Sequence, residues 1–231
     1  MNPIGDKLHS TLRQIRDFEA RYDREAGSVS LLAVSKAQPI EAISAAIAAG
    51  QARFGENYLQ EALLKIAHFS DQHLEWHYIG RIQSNKTRQI AENFAWVHSL
   101  ESLRHAQRLN DQRPDNLPPL QCCMEINIAD EDTKGGTDLA GALKLAELLT
   151  SLPKLELRGL MALPPIHHEL LAQRSCFARV RDCYTALRQI HPAMDTLSMG
   201  MSADLEAAIA EGSTIVRVGT GIFGPRPKKP S

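Results

Sequence analysis

Eight short apolar runs, each followed by a helix-type pattern, constrain this chain more than any other feature. A helical stretch from about Asp6 to Glu25 comes first. The runs then fall at Leu31–Lys36, "ARFGEN", "LEWHYIG", "WVHSL", "LQCCMEINI", "LELRGLMAL", "DTLSMG" and "TIVRVGTG". Between them lie helical patterns. Pro39 opens one that carries Ile40, Ile43 and Ile47 on one face and stops at Gly50. Others span Tyr58–Ala67, Lys86–Asn93 and Leu103–Asn110. A fifth covers Leu139–Thr150, with Leu139, Leu143 and Ala146 in step. Leu170–Ile190 and Ala203–Glu211, the latter closed by Gly212, complete the set. Strands alternating with helices imply parallel pairing through right-handed crossovers. Eight units fill a (β/α)₈ barrel, and 231 residues is close to the ~250 usual for one. An open doubly wound sheet is the competing arrangement; the number of strands favours the barrel. No repeat or linker divides the chain, so residues 1–231 are expected to form one domain, ending in a proline-rich basic tail at Pro225–Ser231.

Bulk chemistry excludes several functions. Basic and acidic residues nearly balance, 26 against 27, giving a net charge of -1. That argues against nucleic-acid and membrane surfaces as partners. The polar start, Met1 to Lys7, has no signal-like apolar segment, and no run is long enough to span a bilayer, so a cytoplasmic location is expected. Cys122, Cys123, Cys176 and Cys183 form no C-x-x-C pair and read as thiols. His167 and His168 follow two prolines and read as a loop, not as metal ligands.

Lys36 ends the first apolar run. It either climbs to solvent and pairs with a loop acid, or sits as a reactive amine at a barrel mouth, where barrels of this kind keep their chemistry. Strand periodicity puts Lys36 on the face of Val34 and Leu32, and Arg217 on the face of Ile215 and Gly219. The first and eighth strands are neighbours in a closed barrel. Two cations at one mouth call for an anion, and each disfavours the other's proton. A neutral lysine amine is the nucleophile of Schiff-base chemistry. Ser202 is placed as a helix N-cap, and Gly219-Thr220-Gly221 follows the eighth run. Loops after strands seven and eight commonly hold phosphate in this fold, although ordinary capping and turn roles, and the acids Asp204 and Glu206, weigh against it. Gly219-x-Gly221-x-x-Gly224 matches a dinucleotide-binding pattern but is expected to lack the helix that pattern requires. A compact phosphorylated aldehyde able to condense with lysine is pyridoxal 5′-phosphate, PLP.

The stretches "LLAVSK", "FGENYLQE", "WHYIGRIQSNK", "RGLMAL", "LSMGMSADLEAAI" and "VRVGTGIFG" span nearly the whole chain. Together they resemble the pyridoxal phosphate homeostasis protein family. That resemblance implies a single TIM barrel similar to the N-terminal domain of alanine racemase, the fold-type III PLP architecture. It implies that Lys36 carries PLP as a Schiff base, that Ser202, Gly219 and Thr220 hold the phosphate, and that Arg217 meets the pyridine nitrogen. Asn57 and His77 would line the pocket beside the ring; Met161 and Met199 either pack near it or belong to the plain core, the commoner place for methionine at a strand end. It implies a role in PLP (vitamin B6) homeostasis and supply, with apo PLP-dependent enzymes as partners and no established catalytic turnover. An arginine on the pyridine nitrogen leaves that nitrogen unprotonated, a weak electron sink. No second domain is expected to supply a further base. Lys134, in "DEDTKGG", becomes a candidate for transient PLP contact, and a monomer is expected. A minimal amino-acid racemase and a cofactor-free Schiff-base aldolase stay open as alternatives.

Overall fold

The computed structural model describes residues 2–127, 136–165 and 167–225. Helix α1 (Pro3–Arg21) leads into eight strands: β1 (Ser30–Val34), β2 (Arg53–Glu56), β3 (Glu75–Tyr78), β4 (Trp96–Leu100), β5 (Leu120–Ile126), β6 (Leu155–Ala162), β7 (Thr196–Ser198) and β8 (Ile215–Val218). Helices α2 (Ile40–Ala48), α3 (Leu59–His68), α4 (Thr87–Asn93), α5 (Leu103–Gln112), α6 (Leu139–Leu149), α7 (Leu170–Ile190) and α8 (Leu205–Ala210) alternate with them. A single turn, α9 (Thr220–Phe223), follows β8. Every strand pairs in parallel with the next, and β8 closes on β1. The architecture is the (β/α)₈ barrel that the alternation predicts. No described helix is long and apolar enough to cross a membrane.

Alternating side chains divide the interior in two. Outward residues such as Leu31, Ala33, Phe54, Tyr78 and Val97 join helix residues such as Leu8, Ile43, Ile90 and Phe177 in one large apolar core. Inside the barrel the apolar cluster is small: Trp96, Cys123 and Met161. That lumen also holds Leu32 and the buried polar side chains of His77, His98, Ser198 and Arg217. Burial pushes the Cys122 thiol up to about 12 and raises Cys123 as well, so neither is a nucleophile at neutral pH.

Three local expectations are corrected. In α6 the buried face is Ala142, Leu145, Ala146 and Leu149, whereas Leu139 and Leu143 are exposed. The spacing i, i+3, i+4, i+7 makes the tighter stripe. Ser202 does not cap α8; Asp204 occupies that position. A helical turn does follow Gly219, namely α9, but one turn at a barrel rim is not the βαβ unit a dinucleotide fold needs. Lys134 lies outside the described residues.

Candidate cofactor site

Leu32 of β1 stands opposite Arg217 of β8. Continuing both strands places Val34 and then Lys36 beside Gly219 at the C-terminal mouth. A cavity of about 290 Å³ opens there, at the small end of the ~300–1,000 Å³ typical of ligand sites. Val34, Ile79 and Met161 form apolar walls; Lys36, Asn57, Ser202, Arg217, Gly219 and Thr220 supply the polar lining. Lys36 is half-buried and lines this cavity.

The backbone on either side of Lys36 is tied down. Ser35 donates its N–H to the Gly55 carbonyl at 3.0 Å and its hydroxyl to Glu56 at 2.6 Å. Its carbonyl accepts from Lys65 Nζ at 2.7 Å. On the other side, Ala37 N–H donates to Glu61 Oε1 at 2.7 Å. Lys65 joins both carboxylates, donating to Glu56 at 2.7 Å and to Glu61. Ala37 adopts a left-handed φ of 58°, which costs a non-glycine residue ~1–2 kcal/mol. The Glu61 bond holds it there. Burial raises the Glu56 carboxyl, against the opposing pull of Lys65.

Arg217 is 5% exposed. Its Nη1 donates to the carbonyl and hydroxyl of Ser198, and its Nη2 to the Ala162 carbonyl. A guanidinium has five N–H groups. One on Nη2 and the one on Nε therefore lack a partner among the described residues. Burial pulls Arg217 down to about 10, with Asp204 and Glu125 acting the other way, so it stays a cation at neutral pH. Glu125, at the end of β5, is pushed up to about 7 by burial and by Glu101.

The loops after β7 and β8 meet at the rim. A Cβ on Gly221 would lie 2.9 Å from Val218 Cγ1 and 3.2 Å from Ser202 Oγ, which is why glycine stands there. Within the described residues, no hydrogen bond takes up the N–H groups of Ser202, Ala203, Thr220 or Gly221. Not being a cap, Ser202 also has its hydroxyl to spare. Unpaired donors clustered at one rim suit an anion.

Asn57 follows β2, and its Oδ1 is buried without a partner among the described residues. Gly80 makes this possible: a Cβ there would sit 2.2 Å from the Asn57 carbonyl oxygen. Lys36, Asn57, Ser202, Arg217, Gly219 and Thr220 thus converge on one cavity. His77 does not. It is 1% exposed in the lumen, next to a second cavity at the opposite, N-terminal end of the barrel. Its face is right and its depth wrong, because Ile79, two residues later, occupies the mouth. Met161 lines the cavity, while Met199 belongs to the outer core. Sequence reasoning missed Ile79, Gly80 and the Glu56–Glu61–Lys65 group.

This fold and site define a parallel barrel with a lysine and a buried arginine at one mouth. The pattern described as "Alanine racemase, N-terminal domain" matches residues 10–227. Pyridoxal phosphate homeostasis proteins from Pseudomonas aeruginosa and Escherichia coli K12 are 50% and 48% identical to the chain. The alignments cover 98% of this chain in both cases, and 97% and 98% of those proteins. The chain belongs to the pyridoxal phosphate homeostasis protein family. Synechococcus elongatus PipY, solved with PLP bound, superposes with a TM-score of 0.83 at 37% identity, covering 96% of this chain and all of that one. Alanine racemase from Corynebacterium glutamicum shares the fold, with a TM-score of 0.71 at 16% identity over 96% of this chain and 61% of its own.

Proposed function

We propose that the protein binds PLP at the C-terminal mouth, through a Schiff base on Lys36, and serves PLP homeostasis and supply without catalytic turnover. The observation that carries this reading is the placement of Lys36 and Arg217, from the neighbouring ends of β1 and β8, in the lining of one cavity, with unpaired donors at its rim. The residues fit the group. Ser202, Gly219 and Thr220 line the rim of the cavity and would hold the phosphate. Arg217 has two N–H groups left for a ring nitrogen. Asn57 has a buried oxygen in need of a donor. Bound PLP supplies an electrophilic aldehyde; Lys36 supplies the amine, and water leaves as the C=N bond forms. The homeostasis proteins that resemble this chain, and the PLP-bound PipY, support the same assignment.

Two considerations favour holding over turnover. Arg217 is an obligate donor, so a ring nitrogen facing it is kept from protonation, and carbanion chemistry loses its electron sink. Racemisation also needs acid–base groups on both faces of a substrate carbon. Among the described lining residues, the ionisable groups are Lys36 and Arg217. A cytoplasmic site of action, apo PLP enzymes as recipients and a monomeric state belong to this proposal.

The test is a visible spectrum of the purified protein with and without borohydride, followed by peptide mapping. A yellow protein reduced at Lys36, and colourless as Lys36→Ala, is expected. Reduced cofactor mapping to Lys86 instead would overturn the assignment. Deuterium incorporation at Cα of L-alanine, above the rate of free PLP and lost in Lys36→Ala, would convert the reading to racemase.

A further inference from the structure

A row of buried polar groups runs through the barrel from the N-terminal floor to Arg217. Glu75 Oε1 lies 2.9 Å from His77 Nε2. His77 Nδ1 lies 2.8 Å from His98 Nε2. His98 Nδ1 lies 2.8 Å from Ser198 Oγ, which lies 2.8 Å from Arg217 Nη1. His77, His98 and Ser198 are essentially inaccessible to solvent.

The chemistry of these groups allows one assignment of hydrogens. Arg217 only donates, so Ser198 Oγ accepts from it, and the single hydroxyl hydrogen goes to His98 Nδ1. At the other end, the Glu75 carboxylate accepts from His77 Nε2–H. A neutral His77 then has a bare Nδ1, which accepts from His98 Nε2–H. That leaves His98 Nδ1 bare to receive the serine hydrogen. Starting from either end gives the same answer: every donor points from mouth to floor.

We propose that Ser198, His98, His77 and Glu75 are positioning residues for Arg217, forming a one-way hydrogen-bond chain that fixes the guanidinium N–H groups facing the cavity. This rests on the PLP reading above for what those N–H groups meet. The chain is braced along its length. Arg53 bonds Glu75 at 3.1 Å, and Trp96 stacks on His77 with centroids 5.3 Å apart and planes 9° from parallel. Arg158 lies over Trp96 and pairs with Asp195. At the mouth end, Asp204 and Glu125 act on Arg217. Burial holds both histidines below their usual range, His98 strongly, in keeping with two neutral rings.

The order of the chain can be read without PLP. In ¹⁵N-histidine-labelled apo protein, a through-hydrogen-bond ¹⁵N–¹⁵N coupling should link two imidazoles, both in the Nε2–H tautomer. An Nδ1–H tautomer at His98, or no such coupling, overturns the proposal. The second arm uses ¹⁵N-labelled PLP. In the parent protein its pyridine nitrogen should keep an unprotonated shift across neutral pH. Ser198→Ala removes one bond from Arg217 and should weaken PLP binding about five- to tenfold. Its pyridine shift should move toward the protonated value on the acid side, and Ser198→Thr should restore both. Ser198→Ala that binds PLP as the parent does, with an unchanged shift, overturns the positioning role and leaves the PLP reading standing. A parent protein with no PLP binding sinks that reading, while the tautomer arm still decides the order of the chain.

Discussion

Lys65 donates its ammonium to the carbonyl oxygen of Ser35 at 2.7 Å, one residue before the lysine proposed to carry the cofactor. The side chains of Lys65 and its partner Glu56 are 4% and 0% exposed. Removing one member of a buried pair leaves the other charge uncompensated, at a cost of ~3–5 kcal/mol. Lys65→Met should therefore lose about that much in urea unfolding. Variant that survives should also react more slowly with PLP, since Ser35 and Ala37 lose their shared anchor. A loss under ~1 kcal/mol would mean the group is solvated like a surface pair.

Phosphate recognition is separable from ring recognition. Ser202→Ala removes one hydroxyl at the rim and should weaken PLP binding by ~0.5–1.5 kcal/mol, roughly two- to twelvefold. Thr220→Pro removes a backbone donor and should weaken it further. Titration with PLP and with unphosphorylated pyridoxal checks both. Equal affinity of the parent for the two ligands would refute a phosphate site between β7 and β8.

Gly80 is expected to be intolerant. Its missing side chain leaves room for the Asn57 carbonyl, where a methyl would come within 2.2 Å of backbone oxygen. The contact is with main chain, so no rotamer change relieves it. Gly80→Ala should cost ~1–3 kcal/mol in stability and displace Asn57 from the cavity. Full parental stability together with parental PLP affinity would contradict this close packing.

Legibility in the sequence followed what periodicity encodes. "WVHSL" and Leu170–Ile190 coincide with β4 and α7, because a buried five-residue run and a long 3.6-period stripe have few alternatives. Strand ends were harder. β7 stops at Ser198 because the chain turns through Gly200 at a φ of 96°. Period two tells which face a side chain takes, not how deep it sits along the barrel axis. The resemblance puts His77 beside the ring; its face agrees, but it sits two residues short of the mouth, where Ile79 stands. Glu61 and Lys65, four apart on α3, look like an ordinary exposed helix pair. The burial of Lys65 comes with its bond to the turn after β1, a contact with no local signature. The polar lumen was hidden for a similar reason: His77, His98 and Ser198 each look out of place in an apolar strand until the barrel closes and aligns them.

Acid–base behaviour provides a further check on the mouth. Glu125 is held up to about 7 by burial and by Glu101, against Arg217 and Arg81. An unfolded glutamate titrates near ~4.3. Between those values the folded protein keeps a proton that the unfolded chain has released. Stability from this group therefore falls as pH rises through that window. His77 and His98 act in the opposite sense. Their folded affinity for protons is lowered by burial, so the unfolded chain binds protons first and stability drops as pH falls below ~6.5. The two effects overlap and partly cancel in the parent protein. Comparing parent with Glu125→Gln isolates the carboxyl, since glutamine keeps the size and cannot titrate. Relative to the parent, Glu125→Gln should gain stability as pH rises from ~4.5 to ~7, with a slope approaching ~1.4 kcal/mol per pH unit, and level off above. Urea unfolding of both proteins across this range measures the difference. A difference that does not change with pH would place Glu125 among ordinary solvated carboxylates and remove it from the electrostatic surroundings of Arg217.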